Sequence, residues 1–104
     1  MIITNTENVP GRELSSIVGL VSGSTIRAKN VFRDFAAGLK NMVGGELRGY
    51  TELLEEARQE ATRRMLESAQ EKGADAVVNV RFSTSSVAAG AAEIYVYGTA
   101  VKLK

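Results

Sequence analysis

The sequence predicts a small α+β domain. Three features carry that expectation: an early run apolar on both sides of a strand, two successive stretches with helical period, and two closing strands. Ile2 and Ile3 make a short apolar start, and Asn5 to Arg12 reads as a turn-rich connection around Pro10-Gly11. Leu14 to Val21 is the first long strand, with Ile17, Val18, Leu20 and Val21 serving both faces. Ser22-Gly23-Ser24 then reads as a tight turn into Thr25-Ile26-Arg27, giving a small hairpin.

From Asn30 the period changes. Val31, Phe35, Leu39 and Met42, joined by Phe32, Ala36 and Val43, recur at three- and four-residue intervals and describe one face of a helix. Asn30 is a suitable N-cap, and Gly44-Gly45 supplies residues at which helices commonly stop. A second, longer helix runs from Glu46 or Tyr50 to Lys72, with Leu47, Tyr50, Leu54, Ala57, Ala61, Met65 and Ala69 on one stripe. Lys72-Gly73 closes it, and Glu60 with Arg64 and Glu55 with Arg58 are spaced to pair on its wet face. Ala57 and Ala61 are small enough to let another backbone approach.

Two strands finish the chain. In Ala76 to Phe82, Val78, Val80 and Phe82 alternate with Asn79 and Arg81, which marks a half-exposed strand. Ala92 to Leu103 is apolar on both sides: Ile94, Val96 and Ala100 on one, Tyr95, Tyr97, Val101 and Leu103 on the other, as a central strand requires. Ser83 to Ala91 reads as a long connection of small residues. The expected topology places the last strand between the other two and antiparallel to both. The helix pair hides one face of that sheet, so the other, tyrosines included, is left for a second copy of the chain.

Composition narrows the function. One domain over residues 1–104 is large enough to hold a core without metal, cofactor or disulfide. Thirteen basic and twelve acidic side chains nearly cancel, which argues against nucleic acid or an anionic membrane as partner. No leader-like or membrane-spanning apolar stretch is evident, so a cytoplasmic protein is expected. The absence of cysteine and histidine removes thiol nucleophiles, thiolate metal sites and the commonest acid–base group.

The segments VFRDFAAGLKNMVGGELRGY, EAR, KGADAVVNV and YGTAVKLK resemble the YbjQ family in order and spacing, over essentially the whole chain. The resemblance implies a dodecin-like β-α-β-β subunit, assembled as a ring-shaped homopentamer in which extra short strands help neighbours pair. It also brings a heavy-metal-binding description, which sits badly on a chain with neither cysteine nor histidine.

The candidate site residues each have a plain structural reading. Gly44-Gly45-Glu46, with Tyr50 nearby, could present backbone N–H groups to an anion, but no Walker lysine follows, and a hinge between helices serves equally. Arg33 and Asp34 stand adjacent on the first helix and point about 100° apart, so each seeks a different partner: a salt bridge, or an anion for the arginine. Glu52, Glu56 and Glu60 lie at i,i+4 and could hold a hard divalent cation, although arginines among them favour a solvated face. Tyr95 and Tyr97 could stack a base or flavin, or simply pack at an interface. No catalytic constellation emerges. The expectation is a non-enzymatic homopentamer, with metal-ion or small-ligand binding in an intersubunit cavity as the alternative.

Overall fold

Four strands and a helix account for the chain wherever the computed structural model describes it, at residues 1–27, 48–88 and 91–104. In chain order they are β1 (Ile2–Ile3), β2 (Leu14–Arg27), α1 (Arg48–Glu71), β3 (Ala76–Ala88) and β4 (Ala91–Leu103). The strands form one mixed sheet in the order β1-β3-β4-β2. β4 lies between β3 and β2, the central place its two apolar faces predict, and is antiparallel to both, while β1 runs parallel to β3 through Ile2 opposite Ala76 and Ile3 opposite Val77. The helix predicted from Asn30 lies outside the described residues.

α1 forms because its apolar positions recur on one stripe, and that stripe is buried. Ala57, Ala61, Met65 and Ala69 have no exposed surface, and they meet Val21, Val77, Ile94, Val96 and Ala100 of the sheet. Burying Met65 alone is worth roughly 2 kcal/mol. The helix stops where Gly73 turns left-handed at φ 76°. Its amide donates to the Gln70 carbonyl at 3.0 Å, and that of Ala74 donates to the Ala69 carbonyl at 3.1 Å. This is the paired-bond cap that satisfies the last free carbonyls. Ala74 joins the same core, so the cap also fixes the entry into β3.

The predicted hairpin at Ser22-Gly23-Ser24 does not form. β2 runs on for 14 residues and, after two register shifts before Gly19, stays in register with β4 from Gly19 opposite Ala100 to Arg27 opposite Ala92. Gly23 is there because the helix lies on it: a Cβ at this position would meet the Ala61 carbonyl oxygen at 2.0 Å. The small residues predicted to admit a backbone therefore do so, and the backbone is that of β2. Beside them the buried Thr25 hydroxyl donates to the Ala57 carbonyl at 3.2 Å.

Two further expectations are corrected on β3. The supposed loop from Ser83 is strand as far as Ala88, which faces Ala91 across the hairpin; pairing with β4 outweighs the weak apolar character of these residues. The alternation of Val78, Val80 and Phe82 is also broken. A bulge between Val78 and Arg81, where Asn79 takes φ 54°, inserts one extra residue. Val78 therefore joins the outer side of the sheet with Ala76 and Val101, while Val80 joins the helix side.

Among the described residues the outer side is covered at one end only. There Val9, held by the turn in which the Arg12 amide bonds the Val9 carbonyl, packs over Ala76, Val78 and Val101. Beyond it Ile17, Leu20 and Ile26 remain between 59% and 77% exposed.

Candidate functional site

Sequence and structure meet first on the wet face of α1. Glu60 does not join Glu56 as a cation clamp, because two arginines take it. Arg63 reaches its Oε1 at 2.5 Å and Oε2 at 2.9 Å, and the Arg64 Nε donates to Oε1 at 3.0 Å. The hydrogen bonds from Arg63 hold the Glu60 carboxyl down at about 2, well below its ordinary 4.5; partial desolvation works the other way and is outweighed. Arg63 also binds Glu67, and its own pKa is raised in return, chiefly by Glu60.

Glu52, Glu55, Glu56 and Gln59 border a shallow depression of about 330 Å³. Among the described residues no group of three or more acidic side chains is placed to hold a metal ion. Arg33, Asp34, Gly44, Gly45 and Glu46 lie outside the described residues. Tyr50 stands in the first turn of α1, and its side chain lies outside them too.

A larger concavity lies on the other flank of the helix. α1 packs mainly on β2 and β4 and reaches β3 only through Val77 and Val80, which leaves the helix side of β3 beyond Val80 uncovered among the described residues. The resulting groove, about 510 Å³, is walled by Glu55, Arg58, Gln59, Thr62, Arg63 and Leu66 of α1 and floored by Phe82. Half of Phe82 is exposed. Sequence reasoning missed this position, because the alternation assigned Phe82 to the buried face together with Val78. No local signal could have found it: Phe82 lies level with Gly23 and the middle of α1, and its exposure comes from the sideways offset of the helix.

On the outer side of the sheet Tyr95 and Tyr97 stack with ring centroids 5.5 Å apart and planes 28° off parallel. Ser24 and Ser83 flank Tyr95 on the neighbouring strands, and Ser22 and Arg81 flank Tyr97. Arg81 is committed to backbone: its Nη1 donates to the Asn5 carbonyl at 2.8 Å and to that of Val80 at 3.0 Å. It therefore ties the amino-terminal segment to the bulge rather than serving as a free anion ligand. No helix among the described residues is long and apolar enough to cross a membrane.

These features define a small α+β protein, a mixed four-stranded sheet with one described helix on one face and surface concavities with no assembled acid–base or metal-ligand cluster among the described residues. The chain belongs to the YbjQ family, whose model, described as "Putative heavy-metal-binding", matches residues 1–104. It is 62% identical over 104 residues to a UPF0145 protein of Hahella chejuensis (strain KCTC 2396), each chain being covered completely. It is 60% identical to a UPF0145 protein of Archaeoglobus fulgidus, covering all of this chain and 96% of the relative. In fold it resembles a crystal structure of a protein of unknown function of the DUF74 family from Pediococcus pentosaceus. The TM-score is 0.61 at 15% identity, over 100% of this chain and 98% of that one.

Proposed function

We propose that the chain is the subunit of a homo-oligomeric assembly, a dodecin-like ring of five copies in the cytoplasm that catalyses no reaction. One observation carries this reading: among the described residues the sheet ends in two uncovered strand edges. Among them β2 has a neighbour on one side only along its 14 residues, and β3 past Val80 has only β4. Such edges present unpaired backbone donors and acceptors, which a second chain satisfies most simply by adding a strand.

β2 and β3 both run antiparallel to β4 and hence parallel to each other. A copy whose β2 adds to β3 of its neighbour therefore keeps the strand direction, leaves the same edge open again and closes when the rotation does. The exposed Ile17, Leu20 and Ile26 give a further reason for like chains to come together. The number five rests on the family resemblance.

Sedimentation equilibrium tests the reading directly. Five chains of 11.1 kDa give a particle of about 55 kDa. A single 11.1 kDa species at high concentration overturns it.

A second reading, binding of a hard cation or small ligand between subunits, draws on the family description and on the acidic depression at Glu52 and Glu56. Elemental analysis of untagged protein, with Glu52→Gln and Glu56→Gln as controls, decides it. Metal at less than one equivalent per ring, or metal unaffected by both substitutions, removes this site.

A further inference from the structure

We propose that Arg64 and Lys72 guard the edge of β2: in the single chain they occupy backbone carbonyls that a strand of a second copy needs, so that assembly at this edge proceeds by exchanging these two side chains for main-chain amides. The inference rests on the assembly reading above and adds what controls it.

Which backbone groups face the edge follows from the pairing. Along an antiparallel strand the amide and carbonyl of successive residues turn to alternate sides. The Asp75 amide donates to the Val101 carbonyl at 2.9 Å, so Val101 faces β3. From Ala100 to Ala92 the register of β4 with β2 holds without a shift, so Ala100 and every second residue after it face β2. Their partners, Gly19 and every second residue to Arg27, face β4 in return. Leu20, Ser22, Ser24 and Ile26 therefore turn both amide and carbonyl away from β4.

Two of those four carbonyls carry a cation. The Lys72 Nζ donates to the Leu20 carbonyl at 3.2 Å, and the Arg64 Nη1 donates to the Ser24 carbonyl at 2.6 Å. The spacing is matched: Arg64 and Lys72 lie about 12 Å apart along a helical rise, and Leu20 and Ser24 about 13 Å apart along a strand. A strand added at this edge donates its own amides to the same oxygens, so it has to displace both side chains. Charged side chains, lysine above all, are a common means of keeping a strand edge from pairing at random. Release is cheap enough to be reversible. Arg64 is about half exposed, and its Nε also donates to Glu60 Oε1 at 3.0 Å, so it keeps a carboxylate partner when it leaves Ser24. Lys72 returns its ammonium group to water.

Lys72→Met and Arg64→Met, singly and together, keep the stem of each side chain and remove its donor. Arg58→Met, on the flank of α1 toward Phe82, controls for the lost charge and the added apolar surface. The mass of each full-length chain is followed by sedimentation equilibrium over a range of concentrations, with circular dichroism for fold and melting. The expected result is a dissociation constant about tenfold lower in the double variant than in the control, the reverse of what loss of an interface contact produces. A dissociation constant equal to or above the control's overturns the guard and, where wild type assembles, leaves the assembly reading standing. Earlier melting with unchanged association means that the two cations only anchor α1, and the proposal fails. A monomeric wild type beside an assembled double variant upholds the guard and overturns the assembly reading; monomers throughout overturn both. Should the double variant fail to fold, Lys72→Met, at an exposed position just past the end of α1, decides alone.

Discussion

Replacing Gly23 with alanine tests the seat of the helix on the sheet. The added Cβ would lie 2.0 Å from the Ala61 carbonyl oxygen and 2.6 Å from the Met65 amide nitrogen. Both are backbone atoms, so no change of rotamer relieves the overlap. Moving the nearer one from 2.0 Å out to 3.4 Å, where ordinary contact begins, requires α1 to rise by about 1.4 Å. A gap of that size removes much of the dispersion contact under Ala57, Ala61, Met65 and Ala69. The cost belongs at the upper end for overpacked cores, about 3 kcal/mol. For a chain of this length that is a fall in Tm of roughly 12–24 °C. Thermal denaturation followed by circular dichroism at fixed protein concentration measures it; concentration must be held because association shifts the apparent midpoint. Adding Ala61→Gly should recover nothing, since the clash is with main-chain atoms. A loss below about 1 kcal/mol would refute the reasoning, because α1 could then not be resting on Gly23.

Three smaller effects follow from the same contacts. Thr25→Val keeps the shape but removes the hydroxyl that donates to the Ala57 carbonyl, and should cost about 1 kcal/mol in urea unfolding. At Asn79, with φ 54°, alanine should lose about 1 kcal/mol and glycine almost nothing, an order opposite to that expected in a regular strand. Glu60 titrates lower in the folded chain than the ordinary 4.5, so folding favours its ionised form; its stabilisation is complete above about pH 4.5 and is lost as pH falls through about 2. The difference in urea midpoint between wild type and Glu60→Gln should therefore be level above that range and shrink within it. Because the ion pairs are largely exposed, the difference should be small and fall further in about 1 M salt.

Which parts of this fold could be read from sequence follows from how far each cause lies along the chain. The α1 stripe and its Gly73 cap depend on residues within a few positions of one another, and both stand as the periodicity placed them. The central position of β4 was legible because Ile94, Val96 and Ala100 alternate with Tyr95, Tyr97 and Val101, and only a strand covered on both sides needs that. Ser22-Gly23-Ser24 misled because a tight turn and a close helix contact demand the same residue. The deciding atoms belong to Ala61 and Met65, remote in sequence. The β3 arm misled for a related reason: Ser83, Thr84 and Ser85 carry little apolar signal, and only their partners on β4 make them a strand.

The candidate site divides along the same line. Glu60 was visible as a member of an acidic i,i+4 series, and so were the arginines that claim it, because all of them lie on one helix. Phe82 was not visible as a surface residue. Its exposure depends on the bulge at Asn79, which resets the parity of β3, and on the placement of α1 mainly over β2 and β4, which leaves β3 beyond Val80 unroofed among the described residues. Neither is a local property. The same two causes account for the asymmetry of the molecule: a helix displaced toward one edge leaves a groove at the other, and the residue left bare there is aromatic rather than polar. With half its surface in water the ring forgoes about half of the burial that would stabilise it and keeps the other half, so the open groove costs the chain part, not all, of what a covered phenylalanine contributes.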